Sequence, residues 1–352
     1  MSERHPSAMR EVPGCKPPEP AASAARRRAL TRGELVNGIL AGDRIVLARA
    51  ITLVESLKPS DRSLAEEVIE ACLPHSGRSI RVGITGVPGA GKSSLIETLG
   101  VSLIQKHGEK IAVLAVDPSS QISGGSILGD KTRMTALAAS DRAFIRPSPS
   151  RGTFGGIAQR TREAMLLCEA AGYGVILVET VGVGQSETAV HGMVDFFVLV
   201  LLTGAGDELQ GIKRGVMEMA DLVAINKADG DNAAAAARTR GEAENALHFF
   251  PAKGSGWTPR AIACSAATGI GIDLLWECVR KHRTMAEQNG WLERARRAQA
   301  QQWMQELIAL GLRQRFESHP AIRARMTALL QDVGEGRVTS FRAARELLDI
   351  LN

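Results

Sequence analysis

Apolar residues form seven short, nearly continuous runs between residues 80 and 263, and segments with helical spacing separate them. Strands without polar alternation are typical of a parallel sheet that is covered on both faces. The pattern therefore predicts an α/β fold with a doubly wound, mostly parallel sheet that binds its ligand at the carboxyl ends of the strands. The predicted strands are Ile80–Ile84, Ile111–Val116, Phe144–Arg146, Val175–Val178, Phe196–Leu202, Leu222–Ile225 and Ala261–Ala263.

Helical spacing dominates on both sides of the predicted sheet. Apolar residues recur at helical intervals from Thr31 to Leu73, and Thr31 with Glu34 forms a capping-box signature at the start. After Leu274 the pattern predicts helices to the end of the chain, with Gly290 and Gly311 as breaks. This part has an apolar stripe, which favours packing within the chain over pairing with a partner helix. The stripe consists of Trp303, Leu307 and Leu310.

Composition excludes some classes of protein and leaves others open. Of the 352 residues 44% are hydrophobic and 23% charged, and the formal net charge is +5. Such a weakly basic chain favours neither nucleic acid nor a membrane surface as a partner, and no apolar run reaches the length of a membrane span. The cysteines form no C-x-x-C pair, which fits a reducing compartment. We expect a cytoplasmic protein; the alternative is the mitochondrial matrix, if the N-terminal tail is a presequence.

A complete G-x-x-x-x-G-K-[ST] sequence follows the first predicted strand and precedes a predicted helix. Glycines let backbone N–H groups approach a polyphosphate, and the helix directs its positive end toward it. Lys92 is expected to reach the terminal phosphates, and the Ser93 hydroxyl to hold Mg²⁺. The competing interpretation is an ordinary strand–turn–helix corner. The predicted phosphate-binding residues are Gly86, Val87, Pro88, Gly89, Ala90, Gly91, Lys92, Ser93 and Ser94.

A second sequence, N-K-A-D, follows the predicted strand Leu222–Ile225 and indicates that the base is guanine. The Asp229 carboxylate can accept hydrogen bonds from the ring N–H and the exocyclic amine of guanine, a donor pair that adenine lacks. The stem of Lys227 can lie over the base, and Asn226 can connect this loop to the phosphate loop. Ser265, Ala266 and Ala267 resemble the loop whose backbone contacts guanine in GTPases. Together these features favour GTP over ATP.

Acidic residues at strand ends are candidates for Mg²⁺ binding and for hydrolysis. Glu179 is expected to hold a Mg²⁺-bound water or to orient the nucleophile, and the Gly182 N–H to sense a γ-phosphate. Asp117 closes the second predicted strand, and Asp130 lies in a glycine-rich stretch. Both are candidate Mg²⁺ or switch residues. The alternatives are that Asp117 only caps a turn and that Asp130 only faces solvent.

Long strings around these residues resemble the MeaB/ArgK-like GTPases, called MMAA in animals. The strings span Val116–Met134 and Val178–Glu187, and N-K-A-D follows them. The resemblance implies a Mg²⁺-dependent, homodimeric GTPase that binds GTP and GDP and acts as a chaperone of methylmalonyl-CoA mutase or a related cobalamin-dependent mutase. It implies that GTP binding and slow hydrolysis gate adenosylcobalamin loading and protect or rescue the mutase, with cobalamin adenosyltransferase as a further candidate partner.

The resemblance also assigns residues and boundaries. Lys92, Asp117, Asp130 and Glu179 carry over as hydrolysis and Mg²⁺-site residues. A glycine-rich loop after the strand Phe196–Leu202 matches the family's partner-coupling loop, which here contains Asp207, Gln210 and Lys213. We expect a disordered tail (1–30), an N-terminal helical region (31–78), a P-loop GTPase domain (79–280) and a C-terminal helical dimerisation arm (281–352).

Two other functions remain open at this point. A metallochaperone GTPase would need clustered histidine and cysteine ligands, whereas the seven histidines here are scattered. A phosphotransferase or transport-protein kinase, a label the family also carries, would need a catalytic base and an acceptor pocket. The sequence indicates neither such a base nor such a pocket.

Overall fold

Seven parallel strands form one sheet in the computed structural model, which describes residues 28–116, 134–147, 154–180, 186–204 and 214–351, without the side chains of 154–157 and 214. The strand order is β3-β2-β4-β1-β5-β6-β7. The strands are β1 (Ile80–Gly86), β2 (Ile111–Val116), β3 (Ala143–Arg146), β4 (Val175–Thr180), β5 (Phe196–Leu202), β6 (Leu222–Asn226) and β7 (Arg260–Ala263). All the predicted strands are present, and the predicted fold class is confirmed.

Helices cover both faces of this sheet. They are α1 (Arg32–Leu40), α2 (Arg44–Val54), α3 (Pro59–Cys72), α4 (Lys92–His107), α5 (Thr135–Ala139), α6 (Phe154–Ala170), α7 (Ser186–His191), α8 (Arg214–Met219), α9 (Ala233–Leu247), α10 (Ile272–Gln288), α11 (Trp291–Ser318), α12 (Pro320–Gly334) and α13 (Ser340–Asp349). On β2, Ala112 and Leu114 pack in the core with α1–α3 and α6, while Ile111 and Val113 pack in the core with α4 and α10. Successive strand residues point to opposite faces, so a strand covered on both sides is apolar throughout.

The N-terminal helices form as the sequence predicts. Thr31 caps α1, its side chain accepting a hydrogen bond from the Glu34 N–H while the Glu34 carboxylate accepts from the Thr31 N–H. The buried faces of α1–α3 join the core that α6 and one face of the sheet share, and Leu30 packs against that core. The predicted tail lies outside the described residues as far as residue 27.

The C-terminal helices correct one prediction. Gly290 separates α10 from α11 with a positive φ of 68°, as expected. Gly311, predicted as a break, lies inside α11, which is one unbroken helix of 28 residues. A single glycine costs a helix only about 1 kcal/mol relative to alanine, which the strong helix formers Leu310, Leu312 and Arg313 around it can offset. In the described part of the chain no helix is both long and apolar enough to cross a membrane.

Candidate nucleotide-binding site

The phosphate loop connects the carboxyl end of β1 to the first turn of α4 at the centre of the sheet. Gly86 has no room for a side chain, since a Cβ there would lie 2.1 Å from the Val200 carbonyl oxygen. Gly91 has a φ of 83°, and a Cβ there would lie 2.6 Å from Nδ2 of Asn226. The loop therefore needs glycine at these two positions both for its backbone conformation and for its contacts with neighbouring strands.

Lys92 lies inside this loop and is only 7% exposed. Its Nζ donates to the carbonyl oxygens of Gly86, at 2.9 Å, and of Val87, at 3.2 Å. Burial lowers the pKa of Lys92, and the carboxylates of Glu179 and Glu187 act in the opposite direction. The loop thus encloses a cation that donates to backbone carbonyls, and a polyphosphate can replace these acceptors.

Ser93 and Glu179 meet beside the lysine. β4 runs parallel to β1, so that Glu179 lies opposite Ile84, and the Ser93 Oγ donates to Glu179 Oε1 at 2.8 Å. A hydroxyl and a carboxylate are the hard oxygen ligands that Mg²⁺ prefers, so this pair fits that ion. Within the described residues no group of three or more His, Cys, Asp or Glu side chains could hold a metal by itself. This does not weigh against Mg²⁺, which usually completes its shell with water and substrate phosphates.

Asn226 joins the phosphate loop to the predicted base loop. Its Nδ2 donates to the Ala90 carbonyl oxygen at 2.8 Å, and its Oδ1 accepts from the Ala266 N–H at 3.1 Å. The following residue, Lys227, has a φ of 61°, which turns the chain sharply at the end of β6. The predicted connection between the two loops is therefore present.

The Asp229 carboxylate is half-buried and oriented by its neighbour. Ser265 Oγ donates to Asp229 Oδ1 at 2.6 Å, and the Ala228 N–H donates to the Cys264 carbonyl oxygen at 3.0 Å. These bonds hold the N-K-A-D loop against the 265–267 loop. The two loops that were predicted to read guanine thus form one surface.

The remaining predicted residues divide into two groups. Pro88, Gly89, Ser94 and Ala267 lie in or beside the loops above and are exposed. The others lie outside the described residues: Asp117, Asp130, Gly182, Asp207, Gln210 and Lys213.

Sequence reasoning missed two residues at this site. Glu187 is fully buried in the first turn of α7 and acts on the Lys92 charge, but an acidic residue in a first turn is common. Thr98 Oγ1 donates to the Ala266 carbonyl oxygen at 2.7 Å and so ties α4 to the base loop. Thr98 lies one helical turn after Ser94, and this spacing could have indicated that its side chain lies on the same side of α4 as the phosphate loop.

Comparisons with known proteins identify chains that are similar to this one. A family model described as "Methylmalonyl Co-A mutase-associated GTPase MeaB" matches residues 47–321. A putative GTPase of Caulobacter vibrioides is 50% identical over 320 residues, which cover 91% of this chain and 98% of the relative. The Mus musculus protein named methylmalonic aciduria type A homolog, mitochondrial, is 45% identical over 324 residues, covering 89% of this chain and 78% of the relative.

A solved structure has the same overall architecture. The crystal structure of a LAO/AO transport system kinase matches with a TM-score of 0.73 and 38% sequence identity, covering 91% of this chain and 97% of that one. The similarity therefore extends over nearly the whole of both chains, including the flanking helices.

Proposed function

Because the chain belongs to the family of methylmalonyl-CoA mutase-associated GTPases described as MeaB, we propose that its GTPase cycle serves an adenosylcobalamin-dependent acyl-CoA mutase. In this proposal GTP binding and slow hydrolysis gate adenosylcobalamin loading and protect or reactivate methylmalonyl-CoA mutase or a close relative. The family description and the name of the mouse relative support it. The GTPase activity itself follows from the family and the fold, so both the family and the activity predicted from the motifs are confirmed.

We assign triphosphate binding to the loop Gly86–Ser93 with Ser94. Lys92 exchanges the loop carbonyls for phosphate oxygens, because an ammonium ion buried among neutral carbonyls gains from an anionic partner. Ser93 and Glu179 are the described residues that would hold Mg²⁺. When bound, this ion neutralises charge that develops on the phosphate oxygens during hydrolysis.

Base recognition is assigned to Asp229, with Asn226 and Lys227 supporting it and Ser265–Ala267 as the facing loop. The Ser265 hydroxyl keeps the Asp229 carboxylate oriented toward a donor pair on the base. A preorganised acceptor loses little side-chain entropy on binding and is left unsatisfied by adenine, which accounts for a preference for GTP.

The proposed roles in hydrolysis centre on Glu179. We expect Glu179→Ala to slow GTP hydrolysis far more than it weakens GTP binding, because the carboxylate acts on the attacking water or its Mg²⁺ ligand sphere. Equal losses of kcat and of affinity would make it a binding residue instead. Asp117 and Asp130 are proposed as further Mg²⁺ or switch residues, and Gly182 as the γ-phosphate contact.

Coupling to the mutase is assigned to the loop with Asp207, Gln210 and Lys213. It follows β5, whose carboxyl end lies beside that of β1 and therefore close to the phosphate loop. A loop at this edge can respond to the nucleotide and contact a partner at the same time. Cobalamin adenosyltransferase, which would supply the cofactor, is a further candidate partner.

We also propose that the C-terminal helices of residues 281–352 form a homodimer arm. Met304, Ile308 and Leu312 recur every four residues on α11 and are 57%, 53% and 61% exposed. Such an apolar stripe on a long helix is typical of a protein interface. Ile308→Glu should then yield monomers by light scattering, whereas a dimer that persists would exclude this face.

One alternative keeps a specific observation in its favour. One solved structure that matches the chain is that of a protein named a transport system kinase. A kinase would transfer the γ-phosphate of a nucleotide to a protein acceptor, and a radiolabelled γ-phosphate would then appear on the acceptor rather than in inorganic phosphate. A metallochaperone role is less favoured, because the described residues contain no cluster of His, Cys, Asp or Glu for a cargo metal.

The deciding experiment compares GTP hydrolysis by the full chain with and without purified methylmalonyl-CoA mutase. The proposal predicts a changed rate and a complex on gel filtration that depends on whether GDP or a non-hydrolysable GTP analogue is bound. A GTPase-unrelated protein at the same concentration serves as the control. An unchanged rate together with no complex in either nucleotide state would exclude the mutase as the partner.

A further inference from the structure

One face of α11 holds the segment that joins α7 to β5. Arg296, Gln299, Trp303 and Glu306 follow one another at intervals of three, four and three residues, which places them on the same side of a helix. Arg296 and Gln299 contact residues 194 and 195 directly, and Trp303 and Glu306 contact Arg162. The exposed apolar residues Met304 and Ile308 lie on another side of the helix. We call these four residues the α11 polar face.

The first half of the α11 polar face fixes the end of the segment. Arg296 donates to both carboxylate oxygens of Asp195, from Nε at 2.8 Å and from Nη2 at 2.7 Å. Gln299 Nε2 donates to the Val194 carbonyl oxygen at 2.9 Å. The backbone directly before β5 is therefore bound to the C-terminal helix through both a side chain and a carbonyl group.

Arg162 of α6 completes the connection at the other half. It is 6% exposed, and it donates from Nη1 to Glu306 Oε2 at 3.1 Å and from Nη2 to the Gly192 carbonyl oxygen at 3.2 Å. Its guanidinium carbon lies 5.7 Å from the ring centroid of Trp303. One buried side chain thus contacts α11, the end of α7 and, through its own backbone, α6.

The opposite end of α7 lies at the nucleotide site. Glu187 in its first turn is fully buried, and its carboxylate raises the pKa of Lys92 against the effect of burial. α7 also packs against β1 and β4, the strands that carry the phosphate loop and Glu179. This short helix therefore has the phosphate lysine at one end and the Arg162 contacts at the other.

We propose that Arg162 is a positioning residue for GTP hydrolysis, which couples the phosphate site to the C-terminal helices through α7. A γ-phosphate adds negative charge beside the carboxylates of Glu179 and Glu187, and GDP does not, so the two nucleotides favour different positions of α7. Contacts from Arg162 and α11 restrict those positions. Coupling of this kind is reciprocal, so a change at α11 alters the equilibrium at the phosphate site.

Intrinsic hydrolysis by the purified full chain tests this inference without any partner, so its outcome is independent of the proposed role toward a mutase. Glu306→Ala removes the exposed end of the contact, and Arg162→Lys keeps the charge but cannot reach both Glu306 and Gly192. We expect each change to lower kcat roughly threefold to tenfold, as measured networks of this kind suggest. KM for GTP should stay within about twofold, because the phosphate and base contacts remain.

The matched control is Glu293→Ala on the same helix. Glu293 pairs with Arg297, and both side chains are more than two-thirds exposed, at 72% and 71%. This change removes a carboxylate from α11 without touching Arg162 or α7, so kcat should not change. The double variant Arg162→Lys/Glu306→Ala should be no slower than the slower single variant, since both act on one contact.

Hydrogen exchange distinguishes coupling from a merely structural role. In the unaltered protein, exchange in residues 296–306 should differ between GDP and a non-hydrolysable GTP analogue, and Glu306→Ala should abolish that difference. A variant that only destabilised the fold would have a lower melting temperature but would keep this nucleotide-dependent difference in exchange. The inference is overturned if Glu306→Ala leaves kcat and the nucleotide-dependent exchange unchanged, or if Glu293→Ala lowers kcat as much.

Discussion

The two ends of β1 carry buried charges that are neutralised in different ways. At its amino end, Arg81 donates to both oxygens of Glu169 at 2.8 and 2.9 Å, and its N–H donates to Asp195 at 2.9 Å. Burial would raise the pKa of Asp195, but the hydrogen bond and charge of Arg296 hold it below its usual value. At the carboxyl end Lys92 donates to backbone carbonyls instead.

The charges at the amino end of β1 therefore stabilise the fold, whereas those at its carboxyl end are suited to binding a ligand. Charges at the amino end are paired within the chain and fix α6 and α11 to the sheet. At the carboxyl end the cation is held by neutral groups, beside a hydroxyl and a carboxylate that suit Mg²⁺. We infer that changes at the amino end cost stability and spare nucleotide affinity, and that changes at the carboxyl end do the opposite. Four experiments test this division.

The largest effect is expected for Asp229→Asn at the carboxyl end. An amide cannot accept both guanine donors, so the preference for GTP over ATP should fall by about 10³–10⁴-fold. Competition between the two nucleotides in a binding assay measures the ratio. Asp231→Asn, an exposed residue in the following turn, is the control and should keep the preference. A mutant that still selects GTP by orders of magnitude would remove Asp229 from base recognition.

Arg81→Met tests the amino end. Removing one partner of a buried pair leaves the Glu169 carboxylate, whose side chain is 1% exposed, without its cation, at a cost of about 3–5 kcal/mol in unfolding free energy. Urea unfolding measures the loss, and GDP affinity should stay within about twofold. The exposed neighbour Arg78 provides the control, since Arg78→Met should leave stability within about 0.5 kcal/mol. A large loss of GDP affinity would contradict the division.

Lys92→Met is the counterpart at the carboxyl end. It should lower kcat/KM for GTP by about 10²–10³-fold, because a preorganised cation at the developing phosphate charge is lost. Unfolding free energy should not fall by more than about 1 kcal/mol, since burial lowers the pKa of this lysine and so disfavours its charged form. Lys106→Met on the same helix, where Lys106 pairs with exposed Asp273, should leave hydrolysis unchanged. If Lys92→Met lost stability but kept normal hydrolysis, Lys92 would belong to the structural charges and not to the nucleotide site.

The sequence carries local motifs for the loops at the carboxyl end of β1 but none for the charge network at its amino end. β2 and β5 have the predicted bounds because strands buried on both faces are continuous apolar runs. The phosphate and base loops have local motifs, so residues such as Asn226 could be placed in advance. The partners Arg81, Glu169 and Asp195 are far apart in sequence and share no motif, so only the fold brings them together. The prediction of a break at Gly311 was wrong because a single glycine lowers helix stability by only about 1 kcal/mol.

The smallest effect concerns His282, which lies next to the amino-end charges. It is 1% exposed, packs edge-on against Phe196, Trp257 and Trp291, and its Nε2 has no hydrogen-bond partner among the described residues. Burial lowers the pKa of His282 to about 4, although the charge of Asp195 acts against it. Between pH 6.5 and 4 the unfolded chain therefore binds a proton that the folded chain does not, and stability falls as the pH is lowered.

Replacing this residue should remove its share of the acid sensitivity. From pH 7 to pH 5 the protein should lose about 2 kcal/mol more of unfolding free energy than His282→Phe does, as measured by urea unfolding at both pH values. Other buried groups such as His191 remain in both proteins and cancel in the difference. His248→Phe, at an exposed histidine, should lose as much as the unaltered protein. An identical loss in His282→Phe would mean that the charge of Asp195 cancels the effect of burial, so that His282 takes up its proton alike in the folded and the unfolded chain.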